Sequence, residues 1–224
     1  MDWQAIWLTG KLAAVVSALL LVVSLPLAHW ITFSRRRWTF LIESVVSLPL
    51  VLPPSVLGFY ALVAMGSRSP VGRWWTSWTG HPLAFTFEGL VIASIIFSLP
   101  FAVQPIAASF AQIDPALREA SAVLGASAWR TFARVTLPLA MEGVIAGFVL
   151  SFAHTVGEFG VVLMVGGNLE GITRTASISI YNDVQALNYR EATLTSLVML
   201  AFSLLVLVAL YAFRRRPWAA APLA

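Results

Sequence analysis

The sequence predicts an all-α membrane protein, one domain over residues 1–224 with five transmembrane helices, and three observations predict it. Hydrophobic residues make up 59% of the chain and charged residues 11%, against roughly a quarter charged in a soluble domain. Runs long enough to cross a bilayer occur five times, four of them charge-free and the fifth interrupted only by Glu158. The arginines fall in short clusters between those runs, a distribution that reads as membrane topology. The sequence pI near 10.1 does not point to nucleic acid, because 14 Lys+Arg against 10 Asp+Glu is a small excess. Gly 14, Pro 12, a mean hydropathy of +0.84 and the absence of Cys exclude collagen-like, disordered and disulfide-framework chains.

Each run is measured against the about 20 apolar residues needed to cross a ~30 Å hydrocarbon layer. Residues 12–34 give 23 positions without a charge and the first helix. Asp2 denies this segment the positive front of a cleaved signal peptide, so it is expected to stay in place. Residues 44–67 give 24 and the second helix; residues 89–113 give 25, with the third helix over 89–111. Residues 143–169 give 27, interrupted only by Glu158, with the fourth helix over 141–166. Residues 192–213 give 22 and the fifth helix. These are helices because a spanning backbone must satisfy its own hydrogen bonds, and barrel strands would alternate with period two.

Positive charge sets the orientation. Arg35, Arg36, Arg37, Arg118, Arg130, Arg134, Arg214, Arg215 and Arg216 share one side of a five-helix topology, nine in all, against five on the other: Lys11, Arg68, Arg73, Arg174 and Arg190. The positive-inside rule then places the N-terminus outside and the C-terminus in the cytoplasm. Trp30, Trp38, Trp74, Trp75, Trp78 and Trp218 at the segment borders fit interfacial anchoring.

Prolines recur inside the apolar runs at irregular spacings, which does not make an internal repeat. Kinked helices are common in membranes, where neighbours re-satisfy the freed carbonyls. The stretch from Leu48 to Gly58 is denser than that reading needs, with Pro49, Pro53 and Pro54 ahead of Ser55 and Gly58. It predicts a bend or unwinding of the second segment where a pathway could pass.

The loop 114–138 carries most of the local information. Asp114 can cap a helix with Pro115 at its first position. Ala116, Leu117, Ala120, Val123 and Leu124 then recur at helical spacing, which gives an amphipathic helix of about three turns. Gly125 can end it in the left-handed region, Ser127 can cap a second helix from Ala128 to Val135, and Pro138 terminates or redirects the chain. Two short helices at a turn form a knob able to dock into another protein's groove, although composition alone favours an interfacial loop lying on lipid.

Glu119-Ala120-Ser121, then Gly125, then Val135-Thr136-Leu137-Pro138 resembles the Glu-Ala-Ala…Gly…Ile-x-Leu-Pro signature of permease subunits of binding-protein-dependent ABC importers, departing from it at Ser121 and Val135. Leu48 to Gly58, Gly157-Glu158-Phe159-Gly160, Gly166-Gly167-Asn168 with Gly171, Thr173-Arg174-Thr175, Ile180-Tyr181 and Tyr189 are similar to the molybdate permease subunits, so the resemblance covers residues 3–216. It implies five helices of the ABC importer permease type and a homodimer carrying molybdate across the inner membrane. It also implies cytoplasmic ATPase subunits seated on the loop 114–138, at Glu119, Ala120, Ser121, Gly125, Leu137 and Pro138, and a periplasmic or extracellular molybdate-binding protein. Sulfate and tungstate are the alternative substrates.

Such a chain hydrolyses nothing. It contains no Gly-x-x-x-x-Gly-Lys-Ser/Thr phosphate loop, and His29, His81 and His154 without Cys give no metal site; no cofactor is expected. A Ser-His hydrolase built on Ser151 and His154 would lack a nucleophile motif and an acid to order it. An ion-coupled secondary transporter would show inverted repeats and ionisable residues at the midplane, where Glu158 is the only acid.

No Lys or Arg falls within the five runs. An anion pathway therefore has to use hydroxyls, backbone amides and helix ends, and weak binding suits conduction. The pathway or gate candidates are Pro49, Pro53, Pro54, Ser55, His154 and Glu158, with Ser98, Ser109, Ser151 and Thr155 as further hydroxyls of a polar seam. His154 and Glu158, four residues apart, are expected to stack on one face of the fourth helix, with Glu158 near the outer boundary. In the molybdate permeases the position of His154 is commonly Arg, so His154 departs from a permanent ion pair.

Overall fold

The computed structural model describes residues 1–34 and 36–214. Arg35 and residues 215–224, among them Arg215, Arg216 and Trp218, lie outside the described residues. The described chain is helical, with no strand. Helix α1 (Trp3–Phe33) begins well before the charge-free run, because the Asp2 carboxylate accepts from the Ala5 N–H at 2.9 Å and starts the helix there. Lys11 is thereby taken into α1, where its ammonium lies 4.6 Å over the Phe87 ring.

The second apolar run is not one helix. It is divided into α2 (Thr39–Val51) and α3 (Pro54–Met65), whose axes differ by 112°. Pro53 and Pro54 remove two backbone donors in succession, and each forces its predecessor out of the helical region. Leu52 (ψ 138°) and Pro53 (ψ 137°) are accordingly extended. The bend expected from the proline cluster is present, and it is a full break. A short helix α4 (Pro70–Thr79) follows, capped by Ser69 and stacking Trp74 on Trp78 at 6.0 Å.

Helix α5 (Phe87–Ala111), capped by Thr86, is the central post. It packs against α1 on one side and α9 (Met141–Gly157) on another, and runs through Pro100 and Pro105 without breaking. Between them the chain makes α6 (Pro115–Val123), α7 (Ala128–Thr131), a π-turn (Phe132–Thr136) and α8 (Leu137–Leu139). Pro138 therefore sits inside a helical stretch rather than at its end, and the redirection comes two residues later, through 70° at Ala140. The π-turn, in which the Leu137 N–H reaches the Phe132 carbonyl, widens the helix just ahead of the proline.

The fourth run is likewise split, into α9 and α10 (Gly160–Gly166). Helix α11 (Ala176–Gln185) leads to α12 (Tyr189–Arg214), which lies at the periphery against α11 and α9. Among the described residues α1, α5 and α12 are each long and apolar enough to cross a bilayer, and the count reaches up to five when α2 with α3, and residues 128–139 with α9, are each taken as one bent span.

The two ends of the bundle differ. At one end Arg174 faces Asp2 at 3.8 Å and the Ala176 N–H donates to Thr9 Oγ1 at 2.8 Å. At the other end Thr32 reaches the Ala107 carbonyl and Arg118 meets Phe33. Buried Leu12, Val16, Leu20, Leu90, Ala102 and Val162 fill the space between α1, α5 and α10.

Candidate functional site

The two helix breaks meet. A Cβ added at Gly160, the first residue of α10, would stand 2.8 Å from Pro54 Cβ, and one added at Gly58 would stand 2.8 Å from Met164 Cβ and 3.2 Å from Val161 Cα. Glycine at both positions lets the backbones of α3 and α10 approach closely just where each broken run resumes.

Glu158 lies in the second break, with extended backbone (φ −68°, ψ 135°) and 4% exposure. Its carbonyl accepts from Ser177 Oγ at 2.6 Å. Both carboxyl oxygens lack a hydrogen bond among the described residues, and so does the hydroxyl of Ser94, its polar neighbour on α5. Ser94 is seven residues into α5, about 10 Å along it at 1.5 Å per residue. Glu158 is thus buried where α9 gives way to α10, beside this part of α5.

The expected pairing with His154 is not formed. Helix α9 ends at Gly157, so the four-residue spacing no longer stacks the two side chains. His154 Nδ1 is instead 2.9 Å from Ser98 Oγ, which is 3.0 Å from Thr155 Oγ1; the Thr155 hydroxyl in turn donates to the Ser151 carbonyl at 2.8 Å. The imidazole stacks on Phe101 (centroids 3.9 Å) beside Phe97 (4.9 Å).

Of the hydroxyls singled out from the sequence, those of Ser98 and Thr155 join this seam, whereas the Ser151 hydroxyl donates to the Phe148 carbonyl of its own helix at 3.0 Å. Ser109 instead packs against Gly143, and Ser55 is exposed in the first turn of α3. Pro49 is buried, while Pro53 and Pro54 are exposed at the break. Ser94, Phe97 and Phe101 belong to the seam and were not singled out. Their signal is the interleaved spacing Ser94/Ser98 and Phe97/Phe101, which puts hydroxyls and rings on neighbouring strips of one helix.

The knob between α5 and α9 forms a second region. Asp114 accepts from the Ala116 N–H at 2.9 Å, Gly125 takes φ +77°, and Ser127 accepts from the Arg130 N–H at 3.3 Å. The Ser121 and Thr131 hydroxyls join its two helices at 2.9 Å. The knob is moored to the bundle by aromatic contacts: Phe132 stacks with Trp129, and the His29 ring meets Phe33, Phe110 and Phe132 edge-on. Its outer surface is apolar, with Val123 87%, Leu124 86% and Trp129 74% exposed. Glu119, Ala120, Gly125 and Pro138 are exposed, and Ser121 and Leu137 half-buried.

Residues 7–216 match the family described as binding-protein-dependent transport system inner membrane component. The chain is 49% identical over 215 residues to the molybdenum transport system permease protein ModB of Azotobacter vinelandii, covering 96% of this chain and 95% of that one. It is 39% identical over 188 residues to ModB of Escherichia coli K12, covering 82% and 80%. In fold it is similar to a chain of the MetNI methionine ABC transporter in inward-facing conformations, with TM-score 0.76 at 15% identity, covering 96% of this chain and 95% of that one.

Proposed function

The chain belongs to the family of binding-protein-dependent transport system inner membrane components, and from that premise we propose that it is the permease subunit of a molybdate ABC importer. The observation that carries the substrate is the similarity to the Azotobacter relative along nearly the whole of both chains. The energy comes from ATP hydrolysis in partner subunits; the chain has no phosphate loop and one lysine, Lys11.

In this reading residues 1–224 are a single permease domain of five spans, α2 with α3 forming the second and α9 with α10 the fourth. The N-terminus lies outside and the C-terminus in the cytoplasm. The knob faces the cytoplasm, and ATPase subunits seat on Glu119, Ala120, Ser121, Gly125, Leu137 and Pro138. Its exposed Val123, Leu124 and Trp129 supply the apolar contact that such docking needs. A second copy of the chain completes the pathway, and an extracytoplasmic molybdate-binding protein delivers the anion to the opposite end.

The pathway runs along the seam where the two breaks meet, by Pro49, Pro53, Pro54, Ser55, His154 and Glu158. Irregular backbone at membrane depth is tolerated where it is buried in protein or lines a cavity, and the close packing of Gly160 on Pro54 supports placing both breaks at one site. The seam offers hydroxyls and no Lys or Arg. A divalent oxyanion is therefore held weakly, as passage requires, and selectivity rests with the binding protein. The carboxyl of Glu158 sets the barrier to a dianion passing through the seam.

The test is uptake of molybdate, tungstate and sulfate in cells lacking their own transporters, with this chain expressed beside its ATPase and binding protein. Molybdate uptake that stops when ATP hydrolysis is blocked is expected. Sulfate uptake at the same concentration without molybdate uptake overturns the substrate, and failure to co-purify with an ATPase subunit overturns the class.

A further inference from the structure

At the end of α1, on the same end of the bundle as Arg118, a cleft of about 600 Å³ is lined by Trp30, Arg36, Arg37, Trp38 and Ile42. Its composition is unusual for this protein: two guanidinium groups and two indoles around one opening. Neither Arg36 nor Arg37 forms an ion pair among the described residues. Both are exposed. The turn that presents them is fixed by its own backbone, since the Thr39 N–H and the Thr39 hydroxyl both donate to the Arg36 carbonyl.

The cleft is continuous with an apolar strip. Trp38, Ile42 and Val45 follow one another at spacings of four and three residues and so share one face of α2. All three are exposed, Trp38 by 71% and Val45 by 69%. The surface thus changes, over two turns of helix, from a pair of unneutralised cations to indole rings and then to bare aliphatic side chains. A phosphodiester flanked by acyl chains has the same sequence of properties. Arginine binds phosphate oxygens through paired N–H groups, indoles prefer the headgroup level of a bilayer, and a basic pocket beside a spanning helix suits an anionic headgroup.

We infer that Trp30, Arg36, Arg37, Trp38 and Ile42 form a binding site for one anionic phospholipid. The phosphate sits on Arg36 and Arg37, the glycerol region lies between Trp30 and Trp38, and an acyl chain follows Ile42 and Val45. The inference needs the chain to span a bilayer but does not depend on which substrate it carries. Charge complementarity selects the lipid over an apolar protein helix, which would leave both guanidinium groups unpaired against it. On the orientation proposed above the site faces the cytoplasmic leaflet.

The test is native mass spectrometry of the intact transporter, with its ATPase subunits, titrated with phosphatidylglycerol or phosphatidylcholine. One phosphatidylglycerol per copy of this chain is expected, bound about tenfold or more tightly than phosphatidylcholine. The double substitution R36Q/R37Q is expected to remove that preference, and Trp38→Ala to weaken it with both charges in place. R36K/R37K, which keeps the charge, is expected to retain the preference within a few-fold and shows that any loss is not misfolding. R130Q/R134Q makes the same charge change at the same end without touching the cleft and is expected to leave binding unchanged. Equal affinity for the two lipids overturns the site, as does an equal loss in R130Q/R134Q, which would reduce it to diffuse attraction. A disulfide between two copies carrying Ile42→Cys, or protection of that cysteine by the ATPase subunit, assigns the surface to a protein contact and also overturns it. Molybdate uptake enters none of these readouts, so their failure is distinct from failure of the transport reading.

Discussion

The guanidinium of Arg118 lies 3.6 Å over the ring of Phe33, joining the first exposed helix of the knob to the last turn of the longest helix in the bundle. Helix α6 buries no residue of its own, and this contact and the Ser121–Thr131 hydroxyl pair help to hold it in position. A cation–π contact contributes from about 0.5–1 kcal/mol when exposed to about 2 kcal/mol when desolvated, and Arg118 and Phe33 are both half-buried. That is too little to fold the protein and enough to bias how the knob is held. Phe33→Ala is therefore expected to leave the permease inserted and assembled while lowering uptake several-fold relative to ATP hydrolysis. Arg118→Lys should fall between the two. Parallel assays of hydrolysis and uptake in vesicles check this; a fall in both together would mean that docking, and not transmission, was lost.

Gly125 turns the knob at φ +77°, and a Cβ there would meet nothing within 4 Å. The constraint is thus on the backbone and not on space, costing about 1–2 kcal/mol for an ordinary side chain and more for a β-branched one. Gly125→Val is expected to mis-seat the knob and abolish uptake in a protein that still inserts. Gly125→Asn, which tolerates the left-handed region, should keep most of it. Normal transport by a well-expressed Gly125→Val protein removes the coupling role from this turn.

The knob was legible because its signals are local: a capping carboxylate, a proline at the first turn, a glycine and a second cap, all within a few residues of what they control. Ser69-Pro70 gives α4 the same start, so a reading of Trp74, Trp75 and Trp78 as anchors alone leaves that helix out. The break at Pro53-Pro54 is also written in covalent structure. The break at Glu158 is not, since Gly157 and Gly160 can continue a helix. At this break Gly160 packs on Pro54, roughly a hundred residues away in sequence, and the Glu158 carbonyl accepts from Ser177; no run length or charge count reports contacts of that kind. The His154–Ser98 bond was hidden for the same reason, because once α9 ends at Gly157 the partner of His154 is decided across helices.

The close approach of α3 and α10 makes a definite steric prediction. A methyl at Gly160 would stand 2.8 Å from Pro54 Cβ, part of a ring that cannot rotate away. Overpacking of this kind costs about 1–3 kcal/mol. Gly160→Ala is expected to lower the thermal stability of the purified transporter by several degrees. Pro54→Gly, which removes the Cβ that the methyl would meet, should recover part of that loss in the double variant. Additive losses in the thermal melts would show that the two breaks do not bear on each other.

Glu158 offers the sharpest separation of a structural from a gating role. Its carboxyl is buried, unpaired among the described residues and faced by the equally unpaired hydroxyl of Ser94. Glu158→Gln keeps the volume and the ability to bond Ser94 but cannot carry charge. If Glu158 only locks α10 against α5, the variant should fold less well and turn over normally per folded molecule. If it sets the barrier to a dianion, the variant should be as stable as the parent with altered turnover, and that is the expected result. His154→Arg tests the same seam from the other side. It breaks the bond to Ser98 and brings a permanent cation between Phe97 and Phe101, so tighter anion retention and slower release are expected. Uptake rates normalised to folded protein, measured alongside melting temperatures for both variants, check the pair. Two stable variants with unchanged rates would leave the seam with neither role.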